Sequence, residues 1–252
     1  MDTESREDKY IYCIIETEAQ KTFNYIGFGD KEKELYTVCF NGVAAVISDS
    51  LMSKYRASRE NLVAHEKAIE EVMKEHVVLP VRFATIAENE KAVSTILEKE
   101  YDRFKDLFAK MKDKKELGLK AILIEDVIFK EIMKKYKNIV ALKEQISTIP
   151  PEKTYFQRMK IGEMVENALQ KERESYKKDI LDTLSQLAVE VKNNDSYYEM
   201  MVLNAAFLIQ KDKEAEFDEK VNMLEAKYSN VMKLRYIGTV PPFNFVNLVI
   251  NI

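Results

Sequence analysis

The sequence is poor both in residues that interrupt regular structure and in residues that carry most catalytic chemistry. Its 252 residues include six glycines, five prolines, two cysteines, two histidines and no tryptophan. So few glycines and prolines leave little material for long loops, which favours a helix-rich protein with short connections. No stretch approaches 18 consecutive apolar residues, as a transmembrane helix requires. The N-terminus is acidic where a signal peptide is basic and then apolar, so we expect a cytoplasmic protein.

Apolar and charged residues make up most of the chain, at 46% and 33% respectively. The apolar fraction is sufficient for a globular core, and the length suits one large domain or two small ones. The net charge of −4 argues against a general nucleic-acid binder, because such proteins carry a basic face.

Candidate metal ligands and nucleophiles are few. His65 and His76 would lie roughly 16 Å apart on one helix, at about 1.5 Å per residue, which is too far for one ion. His65 also continues an apolar stripe, so we interpret it as a half-buried histidine with satisfied hydrogen bonds. Cys13 and Cys39 lie in apolar runs without a CxxC pair, which predicts core packing. The "YIGFGDKEKE" segment at 25–34 lacks the context of a phosphate loop. The sequence therefore predicts no enzyme activity, no cofactor and no metal.

The first half of the chain alternates strand and helix patterns. Residues 9–15 are rich in β-branched and aromatic side chains and predict a strand. An Asn-Gly pair between two apolar runs predicts a β-hairpin over 35–47. Ser58 is a suitable N-cap for a helix that reaches about His76. An apolar run follows, and the period of the next segment predicts one helix over about 88–113.

The second half begins after a charge run at 110–118, the best boundary candidate. Its pattern predicts a strand, then a helix from about Asp126 that ends at the Pro-Pro in "TIPPEKT". A long helix is predicted over 153–187, and a break near 173–178 is left open because apolar residues are sparse there. A hairpin, a helix over 213–228 and a final strand complete the pattern.

These elements predict an α+β protein with two domains. Residues 1–114 would form an N-terminal domain, a small sheet with helices. Residues 115–252 would form a ferredoxin-like domain of order β-α-β-β-α-β with an extra, long helix. We expect its C-terminal tail to pack back on the N-terminal domain.

Arg82 lies within the apolar run "LPVRFATI", and two interpretations are open. A buried guanidinium would need a carboxylate or several carbonyls, so Arg82 would form a structural salt bridge. Alternatively, Arg82 reaches the surface on an edge strand, where Pro80 is also tolerated, and contacts a partner.

Two segments, "HEKAIEEVMKEHVVLPVRFATI" and "LRYIGTVPPFNFV", resemble the motifs of the gas vesicle protein F/L family. Nearly the whole chain is covered by this resemblance. The matching positions are His65, Leu79, Pro80, Val81, Arg82, Phe83 and Thr85 in the first motif, and Arg235, Tyr236, Gly238, Pro241, Pro242, Phe243 and Phe245 in the second. Three positions depart from the family pattern: Ala84 replaces a glycine, Thr239 a proline, and Val240 a frequent tryptophan.

The resemblance implies an accessory or minor structural protein of gas vesicle formation, and hence of buoyancy, rather than an enzyme. The implied partners are the hydrophobic gas vesicle shell protein and other gas vesicle accessory proteins, with no nucleic acid and no membrane. The implied location is the cytoplasm and the gas vesicle. The matching residues would be structural or partner-binding. A small-molecule-binding regulatory or enzymatic α+β protein is the alternative.

The C-terminal tail carries the second motif. We expect the last strand to end at about Val240, after which the two prolines turn the chain. Because Phe243 and Phe245 alternate, both rings would point to one side of an extended tail. They would pack with Val246 between the two domains, or else form an exposed anchor for the shell protein.

Overall fold

The computed structural model is a mixed α+β protein and describes residues 8–26, 34–50 and 54–250. Within these residues it contains two β-sheets and seven α-helices. The α+β class predicted from the sequence is therefore confirmed. None of the helices formed by these residues combines the length and the apolar character needed to cross a bilayer.

Residue contacts divide the chain into two compact units. The first unit is Met1–Glu116 together with Thr239–Ile252, and the second is Leu117–Gly238. The C-terminal tail thus belongs to the first unit, whereas the predicted second domain, residues 115–252, includes it. The assignment of domains at residues 114 and 115 stays a prediction.

Six strands among the described residues form the sheet of the first unit. They are β1 (Asp8–Glu16), β2 (Thr22–Ile26), β3 (Glu34–Phe40), β4 (Val43–Ser50), β5 (Val78–Pro80) and β6 (Ile86–Ala87). The sheet is antiparallel, with the order β2-β3-β4-β1-β5, and β6 also pairs with β1. The sequence pattern predicts neither β2 nor the division of the apolar run at 77–86 into β5 and β6.

The predicted hairpin is confirmed as β3 and β4. Phe40 pairs with Val43, so the loop has two residues, Asn41 and Gly42. Both have positive φ angles, +45° and +82°. Positive φ at both central positions defines a type I′ turn, whose twist matches that of the flanking strands.

Three helices belong to the first unit: α1 (Arg59–Met73), α2 (Glu90–Lys99) and α3 (Tyr101–Met111). The predicted cap of α1 is confirmed, because the Ser58 side chain accepts from the backbone N–H of Asn61. The helix ends before His76, earlier than expected. The single helix predicted over 88–113 is two helices, since Glu100 leaves the helical backbone conformation with φ −99° and ψ 9°.

One core cluster of the first unit lies between the sheet and α1. The helix contributes Ala68, Ile69 and Val72, which pack with the two tyrosines Tyr10 and Tyr12 of β1. Burial of such apolar side chains contributes most of the stability of a sheet covered by a helix.

The second unit has one four-stranded sheet. Its elements are β7 (Lys114–Leu123), α4 (Glu125–Lys135), α5 (Lys137–Gln145), α6 (Tyr155–Leu184), β8 (Ala188–Asn193), β9 (Met201–Gln210), α7 (Glu214–Tyr228) and β10 (Met232–Val240). The first three residues of β7, including Glu116, and the last two of β10 belong to the first unit. The strand order is β10-β7-β9-β8, and β8 pairs antiparallel with β9. The chain order agrees with the predicted β-α-β-β-α-β pattern with extra helices. The ferredoxin-like assignment stays a prediction.

Two helix predictions in this unit need correction. The helix expected from Asp126 is divided into α4 and α5 at Tyr136, whose φ of −98° and ψ of 77° are not helical. The Tyr136 hydroxyl donates to Glu172 of α6 over 2.8 Å, so a contact between helices accompanies the break. The break considered at 173–178 does not occur, because α6 is continuous over 30 residues.

Candidate functional site

A short segment of the first motif loops out beside β1. Pro80 of β5 pairs with Cys13, and Ile86 of β6 pairs with Tyr10. Between these two pairs β1 advances three residues whereas the other segment advances six. The three extra residues 82–84, here named the Arg82 loop, are therefore displaced from the ladder.

Backbone hydrogen bonds fix both ends of the Arg82 loop to β1. The Val81 N–H donates to the Tyr12 carbonyl over 3.0 Å, and the Ile11 N–H donates to the Thr85 carbonyl over 2.9 Å. The Thr85 hydroxyl donates back to the Arg82 carbonyl over 2.8 Å. The loop is thus closed by bonds at its base.

A chain of buried hydrogen bonds runs beneath the loop. The Ala84 N–H donates to the Tyr10 hydroxyl over 2.9 Å, and that hydroxyl lies 3.0 Å from Nδ1 of His65. His65 Nε2 lies 3.1 Å from the Val81 carbonyl, which can only accept. Nε2 must therefore carry the proton, and Nδ1 accepts from the tyrosine hydroxyl. Both ring nitrogens are used.

Burial determines the charge of this histidine. Its side chain is only 3% exposed, and burial lowers the pKa of His65 to about 4, although the bond to the Val81 carbonyl acts in the opposite direction. Burial likewise raises the pKa of the Tyr10 hydroxyl. The network is consequently neutral near pH 7, which avoids the cost of a buried charge. The sequence predicts a half-buried histidine with satisfied hydrogen bonds; both ring nitrogens do have partners, but the side chain is buried rather than half-buried.

Ala84 adopts a backbone conformation that alanine disfavours. Its φ is +63°, in the left-handed region, where a Cβ costs roughly 1–2 kcal/mol. This is the position where the motif has glycine. The loop keeps this conformation because the Ala84 N–H is committed to Tyr10.

Aromatic rings surround His65. The imidazole is stacked on Tyr12 at 5.7 Å and meets Phe83 edge-on at 5.8 Å, both measured between ring centroids. The ring of Phe243 from the C-terminal tail lies 6.2 Å away. The two motif segments therefore meet at His65.

Arg82 itself is exposed. No hydrogen bond or ion pair joins its guanidinium to another residue in the part of the chain that the structure describes. The buried salt bridge considered in the sequence analysis is therefore wrong. Pro80, by contrast, is buried in β5, which lies at the end of the sheet order.

The tail after β10 forms a turn rather than an extended strand. The Pro242 carbonyl accepts from the N–H groups of Phe245 and Val246, over 3.1 and 2.9 Å. Phe245 is 4% exposed whereas Phe243 is 40% exposed. The expectation that both rings point to one side is wrong, because a turn places residues two apart on different sides.

A buried carboxylate holds this turn. Glu116 is 3% exposed and accepts from the backbone N–H and the side-chain amide of Asn244, over 3.1 and 2.6 Å. Val81 and Leu248 form an isolated parallel bridge a few residues later. Sequence reasoning missed Glu116 and Asn244. The available signal was a single acidic residue in a strand whose other residues are apolar or basic.

The remaining motif residues lie on β10 in the second unit. Arg235 and Gly238 are exposed, and a Cβ added at Gly238 would meet nothing within 4 Å. Tyr236 is half-buried and donates its hydroxyl proton to Asp218. Burial, together with this carboxylate, raises the pKa of Tyr236. The strand ends at Val240, as predicted.

Metal-binding geometry is not found among residues 8–26, 34–50 and 54–250, in which no cluster of three His, Cys, Asp or Glu could hold an ion. Burial and the neighbouring Lys21 lower the pKa of His76, whose Nε2 lies 2.8 Å from the Lys21 ammonium. Cys13 is buried as expected, whereas Cys39 is half-buried. Most of the 25–34 segment lies outside the described residues.

Comparison with known proteins gives one consistent result. A family model described as gas vesicle synthesis protein GvpL/GvpF matches residues 8–247. Gas vesicle protein F of Nostoc sp. is 27% identical over 244 residues, covering 95% of this chain and 98% of the relative. Gas vesicle protein F1 of Halobacterium salinarum is 23% identical, covering 96% and 94%.

A solved structure is also similar over nearly the whole chain. The crystal structure of gas vesicle protein GvpF from Anabaena sp. PCC7120 superposes with a TM-score of 0.82 at 26% identity, covering 96% of this chain and 99% of that one. The corresponding protein of Microcystis aeruginosa has the same fold, with a TM-score of 0.77 at 22% identity.

Proposed function

Because the chain belongs to the GvpL/GvpF family of gas vesicle synthesis proteins, we propose that it is an accessory or minor structural protein of gas vesicle formation. It binds the hydrophobic shell protein, other gas vesicle proteins, or both during assembly. It acts in the cytoplasm and at the gas vesicle, without a nucleic acid or a membrane as partner. The family match over residues 8–247 carries this proposal.

The physical need for such a protein follows from the properties of a hydrophobic shell subunit. Before assembly, exposed strand edges and apolar surface make such a subunit prone to aggregation. A partner that covers or pairs with these surfaces keeps the subunit available for assembly. A binding protein is sufficient for this task, and no chemical step is required.

The chemistry of the site supports a binding role over catalysis. A general base needs a free lone pair within reach of a substrate proton. In His65 one ring nitrogen donates to Val81 and the other accepts from Tyr10, and its lowered pKa of about 4 keeps it neutral. We therefore propose that the protein is not an enzyme.

A small-molecule site would need a deep apolar pocket with converging polar groups. One cavity of about 400 Å³ lies along α2, lined by Ala92, Ile96 and Ile250 with Lys91 and Lys99. Both lysines are exposed rather than buried. This lining resembles a surface groove, so the alternative function gains no support from it.

Deletion and complementation test the proposal. Removal of the gene from a vesicle-forming host should abolish or sharply reduce vesicles, and a plasmid copy should restore them. The tagged chain should co-purify with the shell protein or another gas vesicle protein. Normal vesicles in the deletion strain, together with a tagged chain that captures no gas vesicle protein, would overturn it.

A further inference from the structure

The helices of the second unit pack on one face of its sheet. Leu117 and Leu119 of β7 belong to the core on that face, and so do Leu234 and Tyr236 of β10. Because side chains alternate along a strand, the residues between them lie on the opposite face, here named the outer face. Lysine and arginine residues of both strands lie on this outer face.

Two contacts give the register between β7 and β10, which are neighbours in the sheet. The Ile124 N–H donates to the Val231 carbonyl over 2.8 Å. A Cβ added at Gly118 would lie 3.6 Å from the Cβ of Ile237. Between these two contacts β7 goes back six residues while β10 advances six. The strands are therefore antiparallel, and the register stays the same from one contact to the other.

Three cations lie close together on the outer face. The register places Lys120 of β7 directly opposite Arg235 of β10, and Lys233 lies two residues from Arg235 on the same side of its strand. Like charges in opposite positions of two strands destabilise a sheet. In the part of the chain that the structure describes, no carboxylate forms an ion pair with any of the three. The positive charge of this face is therefore available to an anionic partner.

β10 is also an edge strand, at one end of the order β10-β7-β9-β8. In an antiparallel pair every second residue directs its N–H and C=O groups to the neighbouring strand. The bond to the Val231 carbonyl sets this phase, so the backbone groups of Leu234, Tyr236 and Gly238 point away from β7. Such an unpaired row can accept an added strand. We name this row, together with the three cations, the β10 surface.

The chemistry of the β10 surface specifies an acidic protein segment. The guanidinium of Arg235 pairs bidentately with a carboxylate, and the outward backbone groups pair with those of another polypeptide. A single-stranded nucleic acid, by contrast, needs aromatic rings on which its bases stack. β7 has no aromatic residue. The one aromatic residue of β10, Tyr236, lies on the other face, where its hydroxyl donates to Asp218.

We propose that β10 binds an extended segment of a partner protein as a fifth strand of this sheet, with carboxylates at alternate positions of the segment. The alternation places these carboxylates on the outer face, where Arg235 and Lys233 pair with them. Lys120 adds positive potential from the next strand, and backbone bonds to the edge of β10 fix the register of the segment. Such a surface is independent of the function proposed above, which names no binding surface.

The probe is a short, fluorescently labelled synthetic peptide in which glutamate alternates with valine. Its binding to the full chain is measured by fluorescence anisotropy, and the affinity should fall at high salt because exposed charges are screened. A peptide of the same composition with all glutamates in one block should bind at least tenfold more weakly, because only alternation places the carboxylates on one side of a strand. A peptide with lysine in place of glutamate should not bind.

Methylation of the peptide backbone tests strand pairing. In an added strand every second N–H bonds to β10, and the others point away from it. N-methylation of one alternate set of residues should therefore abolish binding, whereas N-methylation of the other set should leave it nearly unchanged. Equal effects of the two sets would show that charge alone holds the peptide, and would overturn the added strand.

Substitutions of the cations test the outer face. Arg235→Gln should weaken peptide binding at least tenfold, and Arg235→Lys should weaken it less, because lysine keeps the charge but loses the bidentate geometry. Lys233→Gln should weaken it several-fold. Lys178→Gln is the matched control: Lys178 is exposed on α6, which packs on the other face, and its loss should leave the affinity unchanged. All these variants should melt at the temperature of the parent.

Gly238→Pro tests the edge of β10. Proline removes the outward N–H of this residue, and an edge strand tolerates proline on that side, so the variant should fold and lose binding. Gly238→Ala is its control, because it keeps the N–H and its Cβ would meet nothing within 4 Å; it should bind as the parent does. Thermal melts check folding, and if the proline variant melts lower, the methylated peptides decide the pairing.

Three outcomes refute the β10 surface while the proposed function stands. The first is a parent that does not bind the alternating peptide at low salt, or an Arg235→Gln variant that binds it equally well. The second is a single-stranded oligonucleotide of mixed sequence that binds more tightly than the peptide and is lost in Arg235→Gln, which makes the occupant a nucleic acid. The third is a parent that is dimeric by light scattering and monomeric in Arg235→Gln, which makes the occupant a second copy of this chain.

Discussion

The Arg82 loop and the tail turn each present one exposed side chain above buried neighbours, but different forces hold them. Beneath the loop, His65 and Tyr10 form a buried polar network that ends on the backbone. The tail turn is held by the buried ring of Phe245 and by the carboxylate of Glu116. The loop therefore depends on hydrogen bonds between neutral groups, whereas the tail depends on apolar burial together with a buried carboxylate.

This difference predicts distinct responses to mutation and to pH. Removal of a buried apolar ring lowers the free energy of unfolding, and the loss grows with the volume of the cavity that is left. A buried neutral network contributes less to the stability of the protein when one member is removed, and also when one member becomes charged. Stability measurements can therefore separate the two segments.

Phe245→Ala should have the largest effect. The ring is 4% exposed, and truncation of a buried phenylalanine costs about 3–5 kcal/mol. Phe243→Ala is the matched control in the same turn, and because its ring is 40% exposed it should cost about 1 kcal/mol or less. Urea unfolding of the two variants measures both values. Equal losses of stability in the two variants would show that the two rings are not buried to different extents in solution.

Acidification should affect the loop by a similar amount. The folded-state pKa of His65 is lowered to about 4, below its ordinary value of 6.5. The unfolded chain therefore binds the proton first as the pH falls. Stability tied to His65 is complete above about pH 6.5 and is lost progressively towards pH 4, by about 3 kcal/mol in total.

His65→Gln isolates this contribution, because glutamine does not titrate. The parent should lose about 3 kcal/mol more than this variant between pH 6.5 and pH 4, measured by urea unfolding at each pH. His76→Gln is the comparison: the pKa of His76 is also lowered, but His76 is only half-buried, so this variant should change the parent profile less than His65→Gln does. Identical profiles for the parent and His65→Gln would mean that the network accepts a proton without cost.

Removal of single hydroxyl groups compares the loop with β10. Tyr10→Phe leaves the Ala84 N–H and His65 Nδ1 without their partner, which should cost about 2–3 kcal/mol. Tyr236→Phe removes one half-buried bond to Asp218 and should cost about 1 kcal/mol. Thermal unfolding of both variants under one condition tests the order. A larger loss of stability in Tyr236→Phe than in Tyr10→Phe would show that the network beneath the loop contributes less than the bond on β10.

Local signals in the sequence account for much of the fold. The Asn-Gly pair predicts the hairpin, Ser58 predicts the start of α1, and the apolar pattern predicts the last strand to Val240. These features depend on residues close together in the chain. The divisions at Glu100 and Tyr136 are not predictable in this way, because helix periodicity continues through both. At Tyr136 a hydrogen bond to the distant Glu172 accompanies the break.

The candidate site shows the same limit. The motif residues identify His65 and Arg82, but the partners of His65 come from strand β1 and from the backbone of the loop. No sequence pattern indicates that residues 82–84 are left out of the pairing with β1. Arg82 is exposed because it lies in this unpaired loop. Its apolar neighbours in the sequence therefore wrongly predicted burial.

Ala84→Gly should have the smallest effect and the opposite sign. At a φ of +63° the alanine Cβ costs roughly 1–2 kcal/mol, whereas glycine adds about 0.4–1 kcal/mol of entropy to the unfolded chain. The balance predicts a gain of about 0.5–1 kcal/mol. Ala226→Gly, at an exposed position of α7, should instead lose about 1 kcal/mol. Thermal melts of the two variants give the signs directly. If Ala84→Gly is destabilised, the loop does not hold the strained conformation in solution.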